Sequence, residues 1–152
     1  MTREGRVAQV NPDLLHVRAF VSGAAGPGPI ATSPLLVALG TELLGYDTAR
    51  KELVIRYTPG ELFRQGAGMI QGGAVAAMLD FAMALAGMAA CEDGTSITTT
   101  MMNTSFLLPA GGTVYEARGR IFRQGRRVMF AQAELSDGGR VVASATSSLL
   151  VI

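Results

Sequence analysis

From residue 72 to residue 90 the chain runs Gly-Gly-Ala-Val-Ala-Ala-Met-Leu-Asp-Phe-Ala-Met-Ala-Leu-Ala-Gly-Met-Ala-Ala. That is enough for about five helical turns, and it is apolar on nearly every side. The pattern predicts one long helix over 72–90, apolar all round and therefore buried. Four segments bounded by turn signals follow it. Residues 96–108 end at Pro109-Ala-Gly-Gly112, and residues 113–123 end at Gln124-Gly125. Residues 126–136 end at Asp137-Gly-Gly139, a strong hairpin signal, and residues 140–152 close the chain. Within 113–123 the alternation is clear: Tyr115, Ala117, Gly119 and Ile121 share one face, with Glu116, Arg118 and Arg120 on the other.

Upstream, residues 41–46 and 52–58 flank 47–51 and read as a strand hairpin. A short helix is expected before it, with Ser33 as N-cap, Pro34 at the first helical position and Gly40 as the stop. Residues 59–71 read as a loop. Residues 1–33 are the least regular part, with a Gly/Ala/Pro run over 22–33. The expected organisation is therefore an irregular N-terminal segment, 1–33, and one domain, 34–152. A hairpin, one helix and a meander in that order predict an α+β fold, an antiparallel sheet wrapped around one long central helix.

Composition sharpens this picture. Only 16% of the 152 residues are charged, against a usual ~25%, while 49% are hydrophobic and 19 more are glycine. Disorder is excluded, and self-association that hides apolar surface is expected. The net charge of +1 offers no footprint for nucleic acid or an anionic membrane. One cysteine, Cys91, leaves no disulfide framework, and with the single His16 it leaves no ordinary zinc site. The uncharged stretches 19–41 and 94–115 are broken by Gly-Pro repeats or rich in Thr and Ser, so neither reads as a membrane span. No signal peptide is indicated by the first residues, and a cytoplasmic location is expected.

Between Arg64 and Glu92 the only charged residue is Asp80, in the middle of the apolar helix. A carboxylate buried there without partners costs several kcal/mol, so its presence needs a reason. Its neighbours at helical spacing are Gly73, Ala76, Ala77, Ala84 and Gly87, all small. Val75, Met78, Leu79, Ala82 and Leu85 form a bulkier side. Such a stripe lets a ligand or a second backbone approach Asp80, or the carboxylate is structural. Gly66-Ala-Gly-Met-Ile-Gln-Gly-Gly73 leads into the helix, and bare N–H groups at a helix start suit an anion or a developing oxyanion. The bland alternative is a flexible turn. Gly26-Pro-Gly-Pro-Ile-Ala31 fits a loose dinucleotide pattern, but two prolines and the lack of a preceding strand make it a false positive. A Ser-His-Asp site has no support, with no G-x-S-x-G elbow and His16 far upstream.

Gln71-Gly-Gly followed nine positions after the Gln by Asp80, a Thr-rich strand ending Phe-Leu-Leu-Pro-Ala-Gly-Gly, and Arg123-Gln-Gly-Arg-Arg127 occur in that order. Together they resemble a hotdog-fold acyl-CoA thioesterase of the phenylacetate-pathway-associated, PaaI-like type, over residues 35–152. The family string Asn-x-x-Gly-x-x-His-Gly-Gly, six residues, Asp is matched at Gly68, Gly72, Gly73 and Asp80. Gln65 stands in the place of the Asn and Gln71 in the place of the His. The resemblance implies hydrolysis of an acyl-CoA thioester to a free acid and CoA. Gly72 N–H would then hold the thioester oxygen, with the Gln71 amide nearby and Gln65 and Thr99 in the catalytic set. Asp80, from the opposite subunit, would be base or nucleophile. Gly73, Arg123, Arg126 and Arg127 would bind substrate, the arginines at the CoA phosphates. It also implies subunits paired edge to edge, as a dimer or a dimer of dimers, with no cofactor beyond the coenzyme A of the substrate. Met69, Met78, Phe81 and Met83 are candidates for an apolar acyl pocket. Two rival classes are an acyl-CoA-binding hotdog module without catalysis and a hotdog dehydratase, which would need a histidine this domain lacks.

Overall fold

The computed structural model describes residues 10–93 and 95–152. Its elements in chain order are helix α1 (Pro12–Val21), strand β1 (Gly28–Pro29), helix α2 (Pro34–Ala38), strands β2 (Glu42–Asp47) and β3 (Glu52–Tyr57), helix α3 (Gly72–Ala90), and strands β4 (Ile97–Phe106), β5 (Tyr115–Gln124), β6 (Val128–Asp137) and β7 (Arg140–Val151). A single 3₁₀ turn, Glu61–Phe63, interrupts the loop between β3 and α3. The seven strands form one antiparallel sheet in the order β1-β2-β3-β5-β6-β7-β4. After β3 the chain crosses the sheet as α3 and lays down β4 at the far edge. It then returns so that β5 pairs with β3. The α+β expectation and the bounds of the long helix both hold.

The central helix packs across β3, β4, β5, β6 and β7. On the sheet's inner face Leu53, Ile55, Tyr57, Ala117, Ala131, Leu135 and Leu149 are all buried, and Met78, Leu79, Ala82 and Leu85 of α3 meet them. Close approach depends on one missing side chain. A Cβ on Gly119 of β5 would stand 2.0 Å from the Ala82 carbonyl oxygen, so the helix backbone rests directly on the strand. The alternation read in β5 puts Gly119 on that face, as expected.

Two expectations are corrected. Residues 12–21, within the segment read as irregular, form helix α1. Its start carries the usual signals: the Asn11 side chain accepts the Asp13 N–H at 2.9 Å, and Pro12 follows it. Leu14, Val17 and Phe20 bury one narrow face, too short a stripe to stand out in the sequence. Residues 1–9 lie outside the described residues. The second correction concerns α3, which is not buried all round. Its small-residue side is partly open: Gly73 is exposed, and Ala76, Ala77, Asp80 and Ala84 are half-buried. Gly87 alone in that stripe is closed over, under Leu149 and Ile97.

The other expected elements appear. Ser33 caps α2 without a side-chain bond, and Gly40 just beyond it has φ +59° with Thr58 backbone close above. Within the false dinucleotide pattern, Gly28–Pro29 pair with β2 as strand β1. Among the described residues α3 is the one helix long and apolar enough to cross a membrane, and here it is the core helix of a sheet.

Candidate active site

Gln71 is the N-cap residue of α3, and its carbonyl oxygen accepts the Ala74 and Val75 N–H groups at 2.9 and 3.1 Å. Its own N–H donates to the Phe63 carbonyl at 2.7 Å, which fixes the entry to the helix. The Gln71 side chain makes no cap bond and the residue is exposed. Gly72 and Gly73 then occupy the first helical turn, where N–H groups have no partner inside a helix and carry the positive end of its dipole. A Cβ on Gly73 would meet nothing within 4 Å, and one on Gly72 would touch only the Phe106 ring.

A cleft of about 490 Å³ opens beside Gly72. The segment before the helix lines one wall with Gln65, Met69 and Ile70; the end of β4 and the turn after it line the other with Phe106, Leu107, Leu108, Pro109 and Ala110. Gln65 uses its side-chain oxygen to accept the Ala67 N–H at 2.7 Å. Met78 and Met83, expected in an acyl pocket, are instead fully buried in the core cluster. Sequence reasoning missed the Phe106–Ala110 wall as a lining, although the Phe-Leu-Leu-Pro string itself was visible.

Asp80 sits two turns further along the open side of α3. The Thr99 hydroxyl of β4 donates to its Oδ1 at 2.9 Å. Thr99, Met102, Thr104 and Phe106 pair with Leu149, Ser147, Ala145 and Ala143 of β7, so they share the inner face of the edge strand. The structure thus joins Asp80 to Thr99, and Gly72 to Gln65 and Phe106, but keeps the two groups apart. Asp80 lies eight positions along the helix from Gly72, about 12 Å along the axis.

Below Asp80, Tyr57 of β3 is fully buried and its hydroxyl donates to the Met78 carbonyl at 2.9 Å. Burial pushes the phenol pKa well above its ordinary value, and the neighbouring Asp80 charge pushes it further the same way. Tyr57 stays a neutral donor and anchors the turn of helix that presents Asp80.

Arg123, Arg126 and Arg127 are all exposed at the β5–β6 turn. Gln124 there donates to the Ala90 carbonyl at 3.1 Å, which ties the turn to the C-terminal end of α3. The arginines are therefore on the far side of Asp80 from Gly72, which lies about 27 Å away along the helix.

A sheet wrapped on one long helix, a glycine-rich helix start and a carboxylate on the helix side define a class. The thioesterase superfamily profile matches residues 67–144. The phenylacetic acid degradation-related protein of Ralstonia eutropha JMP134 is 32% identical, with a TM-score of 0.77 over 88% of this chain and 98% of that one. The chain belongs to the thioesterase superfamily, as a PaaI-like hotdog protein, and is a thioester hydrolase. The E. coli PaaI protein of the phenylacetic acid degradation operon shares the fold at 17% identity, with a TM-score of 0.74 over 95% of this chain and 96% of that one. So does a Streptococcus mutans UA159 protein solved with acetyl-CoA bound, at 15% identity and a TM-score of 0.65, over 72% of this chain and 86% of that one. No curated protein is similar enough in sequence to be matched.

Proposed function

We propose that the chain hydrolyses acyl-CoA thioesters in a site completed by a second copy, which contributes Asp80 opposite the first copy's Gly72. The observation that carries this reading is the 12 Å between the two groups. A carbonyl held at the Gly72 N–H is out of reach of the carboxylate of the same helix, since a base must come within hydrogen-bond distance. The open small-residue side of α3 and the unpaired edge of β4 lie together, where a second copy can extend the sheet and bring its own helix close. Exposed Met101, Phe106, Leu107 and Leu108 at that edge, and the low charge of the whole chain, favour such cover.

In this site the acyl group occupies the apolar cleft and the thioester oxygen meets the Gly72 N–H, with the Gln71 and Gln65 amides at the rim. Charge that develops on that oxygen is stabilised by the helix start. Thr99 occupies one oxygen of Asp80 and leaves the other for the attacking water, or for direct addition to the carbonyl. Arg126 and Arg127, exposed at the α3 C-terminal end of the copy supplying Asp80, would meet CoA phosphates outside the cleft. The S. mutans protein with acetyl-CoA bound supports the ligand class.

Asp80→Asn tests the reading. Asn keeps an oxygen for the Thr99 hydroxyl, so the fold and the melting temperature should hold. Single-turnover release of CoA should fall by about 10²-fold or more, since general-base contributions run ~10²–10⁴. Wild-type turnover from a folded Asn variant would remove Asp80 from the chemistry.

A further inference from the structure

Arg64 is a cation turned inward. Its side chain is only 12% exposed, and its guanidinium makes three bonds. Nε donates to Glu61 at 3.2 Å, Nη1 to the Gly68 carbonyl at 2.6 Å and Nη2 to the Gly112 carbonyl at 2.8 Å. Gly68 belongs to the segment that carries Gln65 and Met69, one wall of the cleft. Gly112 ends the turn that begins at Pro109, the other wall. One planar fork thus spans both walls. Only an arginine can do so, because its donors are fixed in a plane and point in two directions at once.

The Gly112 end is itself anchored. The Asp137 carboxylate accepts the Gly112 N–H at 2.8 Å, and the Tyr115 hydroxyl donates to the same carbonyl that Arg64 uses, also at 2.8 Å. A Cβ at Gly112 would lie 2.2 Å from the Asp137 carboxylate, so any side chain there would push that carboxylate off the Gly112 N–H. The Gly68 end is held more loosely. Its wall is tied to the turn at Ile70, whose N–H donates to the Ala110 carbonyl at 2.8 Å. Gly68 itself is exposed, has φ +84° and follows an exposed loop, with the Arg64 fork reaching beyond that tie. Arg64 therefore transmits the position of the rigid wall to the loose one.

We propose that Arg64 is a positioning residue that sets the width of the acyl cleft and so decides which acyl groups the enzyme accepts. This inference rests on the acyl-CoA reading above. A wall that drifts outward leaves a short acyl group bound by its thioester end, while a longer group loses packing along its length.

The test compares a two-carbon and an eight-carbon acyl-CoA on the full chain, with Arg64→Lys and Arg64→Met. Both variants should raise KM for the eight-carbon substrate by about tenfold, with kcat/KM for the two-carbon substrate changed less than about threefold. Lysine should fail to restore the ratio, because one ammonium cannot bridge two carbonyls. An unchanged ratio, or equal losses on both substrates, would reduce Arg64 to a loop staple and overturn the proposal. Glu61→Ala guards against misfolding of those variants. The Glu61 side chain is exposed, and its loss should move the ratio the same way by about twofold; no movement there counts against the proposal as well. A wild-type chain that hydrolyses neither thioester would sink the acyl-CoA reading itself, an outcome distinct from hydrolysis with an unaltered ratio.

Discussion

The two sides of α3 are both built almost wholly from apolar residues yet meet opposite fates. On one side Met78, Leu79, Ala82 and Leu85 are sealed against β3, β5 and β6, with the Ala82 backbone against Gly119 and the Met78 carbonyl held by Tyr57. On the other side alanines and glycines stand half open around a carboxylate, beside a strand edge that no other strand among the described residues pairs with. Hydrophobicity alone does not separate the two sides; side-chain size does. Bulky residues finish the protomer's own core. Small ones leave room for something brought from outside, which is why Asp80 is tolerable there.

The largest effect should come from closing the gap on the sealed side. Gly119→Ala puts a methyl within 2.0 Å of the Ala82 oxygen, and backbone on both sides has nowhere to move. We expect a loss of 3 kcal/mol or more, at the upper end of overpacking penalties, or failure to fold. Chemical denaturation measures it. A variant with near wild-type stability would mean the helix is not seated on β5 as described.

The matching change on the open side should spare the fold and strike assembly. Ala76 is half-buried and does not pack into the core cluster, so Ala76→Arg costs the single protomer little. If a second copy covers this side, it meets an arginine without a partner, and a charge buried unpaired is strongly destabilising. Light scattering should then show the 15.9 kDa protomer in place of a larger wild-type species, and hydrolysis should be lost with the melt still cooperative. An active, assembled Ala76→Arg would move the shared site elsewhere.

The unequal legibility of these regions has a physical basis. Helix α3, the β2–β3 hairpin and the final meander announce themselves through period and turn residues, which are local properties. Asp80 is visible because an isolated charge in an apolar run is anomalous by itself. Its partner Thr99 is reached only through the family resemblance. Helix α1 is hidden because Leu14, Val17 and Phe20 offer three buried positions, and its capping pair Asn11-Pro12 lies where nothing else suggests order. Arg64 and Tyr57 leave no trace, and Gly112 shows only as the end of a turn signal. Each acts across 20 to 50 residues of chain, through a backbone carbonyl or a carboxylate whose position only the fold decides.

Tyr57 offers the smallest and finest test, because it belongs to the sealed side yet feels the charge on the open one. Tyr57→Phe deletes the bond to the Met78 carbonyl, which keeps its helical N–H partner and loses only this second donor; a loss of about 1 kcal/mol at pH 7 is expected. The pH dependence carries the sharper signature. Burial first and Asp80 second raise the phenol pKa above the ordinary 10.0, so the folded state keeps a proton that the unfolded chain releases. Stability from this group is complete below pH 10 and declines above it, by about 1.4 kcal/mol for each further pH unit. The raised Tyr46, Tyr115 and Cys91 groups add to the same alkaline decline in both proteins. Phenylalanine removes only the Tyr57 share. The stability gap between wild type and Tyr57→Phe should therefore narrow as pH rises from 9 to 11, close, and reverse. Denaturation midpoints across that range decide the matter, and a gap that stays constant would show that the phenol ionises as freely in the folded protein as in the unfolded chain.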